Sequence, residues 1–502
     1  MKHLALALFL FSSLPPALQA GAAMSPKTAK ESASLPVSNT SLVRVNSTGQ
    51  AYDFFRPWAK KPPFMRRGLG VVLPDHRVLV TAELVANHTY VELEKSDTAE
   101  KTPAEVVVVD YDANLALLKP VDAAFLQDAK PLQLDTGARV GDRASILQLE
   151  SNGLIAETPA TITTITVAPY PLDHLALLTF RVSAPLQSRE GSFTIPAIRN
   201  GRLLGLLMRY DARSQTADLI PAPVIEHFLA DASLETYPGF PRAGMAFAST
   251  RDPQFRRYIG LQENGGVYVT EVRPDSAAAK AGLRKGDIIL AVDGKSVDQD
   301  GNYEHPDFGK ISFSHLTSTV GRTGDTIPFT IQRDGQRLDV PVTLEPLDKA
   351  SLVSVPYAFD APPRYYILGG LIFQELSRPY LQEWGGGWPK EAPQRLVYLD
   401  AFQNELPTDR GKVVFLSQVL PSPNTLGYEN LDHLVVTKVN GVEIKSLEDL
   451  ARAAGAPQDG FHKIEFEQDP VFIALDAAEL ENGKGQLMQD YGIPALENLP
   501  PR

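Results

Sequence analysis

Between residues 41 and 232 short apolar runs recur, each broken by turn residues: Gly70-Val71-Val72-Leu73, Arg77 to Thr81, Tyr90 to Leu93 and Val106 to Val109. Runs of this length and spacing predict the strands of a barrel or sandwich. Val224, Ile225 and Phe228 fall at helical spacing, which predicts a closing helix over Pro221 to Ala230. Ser233 to Pro241, carrying Tyr237-Pro238-Gly239, reads as a linker.

A second unit covers residues 240–346. Its centre is Gly266 to Val272, Ser276 to Gly282, then Leu283 to Gly294. Alanines 277 to 279 predict a short helix that Gly282 ends in a left-handed conformation. Gly286-Asp287 turns the chain into the apolar strand Ile288 to Val292, and Asp293-Gly294 signals a hairpin. A third unit, 355–476, has an apolar strand at Tyr365 to Phe373. Later, Val413 to Leu420 and Leu434 to Ile444, with Asn440-Gly441 inside, repeat the strand and turn logic of the second unit as a diverged internal repeat. Residues 477–502 are polar and punctuated by Gly and Pro, which predicts a loosely held tail.

The composition narrows the class of protein. A chain of 502 residues with 43% hydrophobic and 22% charged residues is globular and holds several domains, and its 40 prolines and 36 glycines favour strands and turns over long helices. The net charge of −12 gives no electrostatic support for nucleic-acid binding. No cysteine is present, which excludes disulfides and thiolate chemistry. The histidines show no metal-ligand spacing, and no cofactor is expected. Lys2 and His3, the apolar run Leu4 to Phe11 and the small residues ending in Ala20-Gly21-Ala22 predict an export signal over 1–22. Residues 23–40 read as a flexible lead-in. Export would place the product in the periplasm or cell envelope if the source is bacterial, and no further run is long enough to span a membrane.

The run Ala281-Gly282-Leu283-Arg284-Lys285-Gly286-Asp287-Ile288-Ile289-Leu290-Ala291-Val292-Asp293-Gly294 makes the second unit resemble a PDZ domain. The order of units then resembles the HtrA/Deg family of serine proteases, and within it the plant-type Deg proteases with a diverged second PDZ domain. That likeness extends to Phe55-Arg56-Pro57-Trp58, Tyr365-Tyr366-Ile367, Pro379-Tyr380-Leu381, Ser417-Gln418-Val419-Leu420 and Gly427-Tyr428-Glu429. It implies a mainly β fold with some α: a chymotrypsin-like double β-barrel followed by two PDZ-like domains.

The resemblance makes demands at three positions. The family's catalytic histidine, in a turn like T-N-A-H-V-V-A, matches Glu83 of Thr81-Ala82-Glu83-Leu84-Val85. The aspartate of D-L-A-L-L matches Asn114 of Asn114-Leu115-Ala116-Leu117-Leu118. The serine of G-N-S-G-G-P matches Phe193 when Pro196-Ala197-Ile198 anchors the register, or Ser192 if a gap is allowed. A carboxylate near pKa 4.3 is a poor base for a hydroxyl, and an uncharged Asn does not stabilise an imidazolium. Phe193 and Thr194 also restrict a backbone whose amides would have to converge on an oxyanion. The sequence therefore reads as a catalytically degenerate member. The alternatives are an active endopeptidase with a rearranged site and a structural or regulatory oligomer subunit.

By the same resemblance, Arg242-Ala243-Gly244-Met245 forms the PDZ carboxylate loop, with Phe313, Leu316 and Val320 as groove or core residues. The insert Gln299 to Lys310 is placed to cover part of that groove, and Leu368-Gly369-Gly370-Leu371 is the candidate loop of the third unit. The implied partners are protein C-termini or unfolded polypeptides, and a homo-oligomer is implied by the likeness.

Overall fold

The computed structural model of the chain describes residues 39–96, 98–150, 154–172, 175–186, 193–407 and 410–500. The expected export signal, nearly all of the lead-in, His174 and Ser192 lie outside the described residues.

Six strands close the first barrel: β1 (Leu42–Gly49), β2 (Phe64–Val72), β3 (Val78–Val80), β4 (His88–Lys95), β5 (Lys101–Asp110) and β6 (Leu115–Pro120), in the order β1-β2-β3-β6-β5-β4. Closure leaves no open sheet edge, and Val45, Val80, Leu93 and Leu118 fill the interior. A short helix, α1 (Ala82–Val85), follows β3. The second barrel comprises β7 (Arg143–Leu149), β8 (Ile155–Pro169), β9 (Ala176–Ser183), β10 (Pro196–Arg199), β11 (Arg202–Asp211) and β12 (Thr216–Pro221). Helix α2 (Ala222–Asp231) covers it with Val224, Ile225 and Phe228 buried, at the spacing read from the sequence.

In the second unit, the sheet runs Met245–Ala248, Val267–Val272, Ile288–Val292, Thr326–Arg333, Gln336–Thr343. The local turn signals hold in detail. Ser276 caps the helix Ala277–Lys280, Gly282 follows at φ +83°, and Asp293-Gly294 lies at φ +51° and +69°. The insert departs from expectation. Its hairpin, Asn302–His305 with Gly309–Ser312, packs on the second barrel through Phe308 against Phe180 (6.0 Å) and Asp307 against Arg139 (2.6 Å). Partial burial of Phe308 against β9 and its stacking on His305 (4.3 Å) hold the hairpin there.

The third unit is an eight-stranded sheet in which Asn440-Gly441, at φ +49° and +79°, repeats the Asp293-Gly294 turn. Gly369-Gly370 proves to be the tight hairpin between Tyr365–Leu368 and Leu371–Glu375, with no open loop. A Cβ on Gly369 would fall 2.2 Å from Leu480 Cδ2. Leu480 belongs to the helix Ala477–Tyr491, so residues 477–500 are not a loose tail. The helix is capped by Asp476 and Gly492, and Glu497–Asn498 then pairs with Tyr365–Tyr366.

The segment between β1 and β2 clasps this unit. Phe55 packs edge-on to Trp384 and Tyr380 (4.9 and 5.7 Å), Trp58 meets Tyr365 (6.4 Å), and Lys61 pairs with Glu383 (2.7 Å). Gln374 and Gln418 donate to the carbonyls of Phe54 and Phe55 (3.0 and 2.6 Å). Among the described residues no helix is long and apolar enough to cross a membrane.

Leu480 is 3% exposed, so Leu480→Ala removes buried area and leaves a cavity under the Gly369 turn. The expected cost is about 2–4 kcal/mol. Thermal unfolding should show a lowered transition, while Val471→Ala, at a residue 65% exposed, should not shift it.

Candidate functional site

Glu83, Asn114 and Phe193 converge on one depression of the first barrel. The buried Asn114, held at φ +54° in the β5–β6 turn, accepts the Glu83 amide on Oδ1 (3.0 Å). Glu83 is solvent-accessible, yet the surrounding protein removes enough water to push its carboxyl above the usual range. The Asn114 amide and the Arg66 guanidinium oppose that shift. Arg66, from β2, lies over the rings of Phe64 (4.4 Å) and Phe193 (5.3 Å) and donates to the carbonyls of Glu83 and Ala86. A cation therefore fills the space between the Glu83 and Phe193 positions.

The backbone around Phe193 is fixed by β2. The Phe193 amide donates to the Arg67 carbonyl (2.9 Å) and the Leu69 amide to the Thr194 carbonyl (3.2 Å). Thr194 Oγ1 accepts from the Thr81 amide (3.0 Å) and bonds the Thr81 hydroxyl (2.9 Å). A Cβ on Gly68 would lie 2.8 Å from the Thr194 nitrogen, so this approach requires glycine. The Phe193 N–H, which would be an oxyanion donor if Phe193 stood at the nucleophile, is committed within the fold.

A second site is the groove of about 430 Å³ beside the edge strand Met245–Ala248. Arg242, Ala243, Gly244, Met245 and Phe313 line it. The Ala243 and Gly244 carbonyls accept from Ala278 and Arg273 (both 2.9 Å). In a trans peptide N–H and C=O point oppositely, so the Gly244 and Met245 amides turn away from these anchors and toward the open side. Gly244 has φ +78°, and a Cβ there would meet Ser276 Cβ at 2.3 Å. Leu316 packs in the core, one of the two roles expected of it, and does not line the groove. Val320, expected in groove or core, is 56% exposed instead, because Leu316–Val320 is a π-helical turn that rotates its side chains off the α-helical spacing. Arg242 is drawn toward Asp112 of the β5–β6 turn (3.4 Å), so its charge is shared between that turn and the groove.

Residues the sequence reading missed complete the groove. Leu175 and Ala176 of the second barrel line it alongside Ser314, Thr317 and Ser318. Ser318 donates to the Ala176 carbonyl (2.6 Å), and the Leu178 amide donates to Thr319 Oγ1 (3.0 Å). The Thr317 and Ser318 hydroxyls are satisfied by backbone carbonyls, which leaves Met245, Phe247, Phe313 and Leu175 as the groove's apolar wall.

PDZ domain family models match residues 268–305 and 355–497. Protease Do-like 2, chloroplastic, of Arabidopsis thaliana is 29% identical over 463 residues, covering 90% of this chain and 74% of that protein. Protease Do-like 4, mitochondrial, of the same plant is 24% identical and covers 92% and 86%. The chain is thus similar to plant Do-like proteases over most of its length and carries PDZ domains. Among solved structures, the HtrA-type protease AlgW with a decapeptide matches with a TM-score of 0.47 at 17% identity, over 65% of this chain and 98% of that one.

His315 connects the groove wall to the inserted hairpin. It is 3% exposed and bonds the Tyr303 hydroxyl through Nδ1 (2.7 Å). Burial, reinforced by His305, lowers its pKa to about 4. Below the unfolded value of about 6.5 the unfolded chain takes a proton that the folded chain refuses, so stability is full above that pH and falls as pH drops toward 4. The contribution is about 3 kcal/mol. Denaturant titrations between pH 7 and 4 should show this loss, and His315→Asn should flatten it.

Proposed function

We propose that this homologue is an exported pseudoprotease that binds polypeptides through its first PDZ domain and releases them uncut. What supports this reading is that Glu83 and Asn114, the positions the resemblance assigns to an imidazole and a carboxylate, are hydrogen-bonded to each other, with Arg66 between Glu83 and Phe193. Proton transfer from a serine requires a base matched to the operating pH, oriented and stabilised by a third group. Glu83 is pushed upward by desolvation, but Arg66 lies beside it, and Asn114 carries no charge.

The binding half rests on the groove. Its open edge strand offers main-chain pairing to an extended C-terminus, and the Gly244 and Met245 amides face a terminal carboxylate with Arg242 nearby. Phe313 and Phe247, 4.8 Å apart, supply the apolar wall against which a terminal side chain is selected. The residual alternative, an active endopeptidase, depends on Ser192.

Gly244→Val introduces a side chain at a positive φ and against Ser276, and so distorts the carboxylate loop. Binding of C-terminal peptides with free carboxylates, read by fluorescence anisotropy, should fall at least tenfold in Gly244→Val. Wild-type protein should return bound, unfolded casein at full length on a gel. Unchanged affinity in the variant contradicts the groove assignment, and time-dependent fragments contradict the pseudoprotease assignment.

A further inference from the structure

A cavity of about 550 Å³ lies between the clasp that follows β1, the β8–β9 turn, the linker between the PDZ domains and the helices of the third unit. It is separate from the PDZ groove and shares no residue with it. Five aromatic side chains face it: Tyr52, Phe54, Tyr357, Phe359 and Trp388. Prolines at three further positions of the wall have no N–H to offer a ligand.

The charges on the wall are matched internally. Lys61 pairs with Glu383 (2.7 Å), and Arg378 pairs with Asp400 (3.1 Å), whose other oxygen accepts from the Ser354 hydroxyl (2.7 Å). A charged ligand would have to displace one of these partners, whereas a neutral apolar group only loses water. The lip is rigid. Asn87, at φ +58°, exchanges two hydrogen bonds with Asp360: its amide donates to the carboxylate (2.7 Å), and its side-chain oxygen accepts the Asp360 amide (2.9 Å). Asn87 stands one residue beyond the end of α1, so one short segment borders both this cavity and the depression that holds Glu83.

We propose that the cavity is a second recognition site, which takes a large aromatic or aliphatic side chain from within an unfolded polypeptide and needs no free C-terminus. The volume falls in the range of sites that enclose a small organic group. The aromatic lining and compensated charge set the ligand class, and the preformed lip keeps the cost of ordering low. The inference rests on the binding reading above only in taking unfolded polypeptide as the ligand. It stands whether or not the first-barrel depression hydrolyses peptides.

The test uses two dansyl-labelled peptides, acetylated and amidated so that the PDZ loop has no carboxylate to hold. One carries a central Phe-Leu-Phe, the other Ser-Gly-Ser. The full chain should bind the first and not the second. Ala358→Trp fills the cavity from its linker wall and should weaken that binding at least tenfold. Leu172→Asp, at the β8–β9 turn, should act in the same direction and serves if the tryptophan variant does not fold. Gly244→Val should leave this binding unchanged while weakening binding of peptides with free carboxylates at least tenfold. Equal binding of both peptides, no binding of either, full affinity in the two cavity variants, or loss in Gly244→Val would each overturn the assignment.

Discussion

Thr194 is the residue on which the arrangement of the first-barrel depression depends. Its hydroxyl holds the Thr81 amide and hydroxyl, its carbonyl accepts from Leu69, and its amide nitrogen sits against Gly68. These contacts lash the segment before β10 to β2 and to the start of α1, so Phe193 and Glu83 are set by the same fully buried anchor. Buried hydroxyls and amides are costly to leave unpaired, so this geometry resists rearrangement. Where hydrolysis would need amides free to converge on a developing oxyanion, this backbone has its Phe193 amide bonded to a neighbouring strand.

The PDZ groove is tied to the barrels with comparable firmness. The turn Leu316–Val320 bonds β9 through Ser318 and Thr319, and the His227 ring bonds the Thr319 carbonyl at 2.8 Å. Arg322 reaches Asp231 at the end of α2 (2.7 Å). The groove wall is therefore partly a barrel surface, and an occupant would touch Leu175 and Ala176 as well as PDZ residues. At the other end, the clasp joins the first barrel to the third unit. The scattered motifs around Phe55, Tyr365, Tyr380 and Gln418 meet there in space.

What was legible in the sequence followed from local rules. Gly282, Gly294 and Gly244 each occupy a positive φ that glycine adopts readily, so the PDZ turns could be read residue by residue. The two-residue turns also marked the repeat. The helix Ala477–Tyr491 was not legible, because Gly483 and Gly485 lower its propensity and only Leu480 and Leu487 are buried along it. Its stability comes from contacts such as Leu480 under the Gly369 turn. The exposure of Val320 was not legible, because a π-helical turn breaks the 3.6-residue period. In the depression, Glu83 and Asn114 were found through their flanks, but Arg66 had no such signal. It is one arginine of a strand, and its role arises from carbonyls and a ring brought to it by the fold.

The central claim is that the depression holds no activated nucleophile. Intact-mass analysis after prolonged exposure of the full chain to a fluorophosphonate tests this most directly, since only a serine with a working base and oxyanion site is phosphonylated at an appreciable rate. The account predicts an unchanged mass. An adduct of one phosphonyl group per chain, absent in Ser192→Ala, would contradict it.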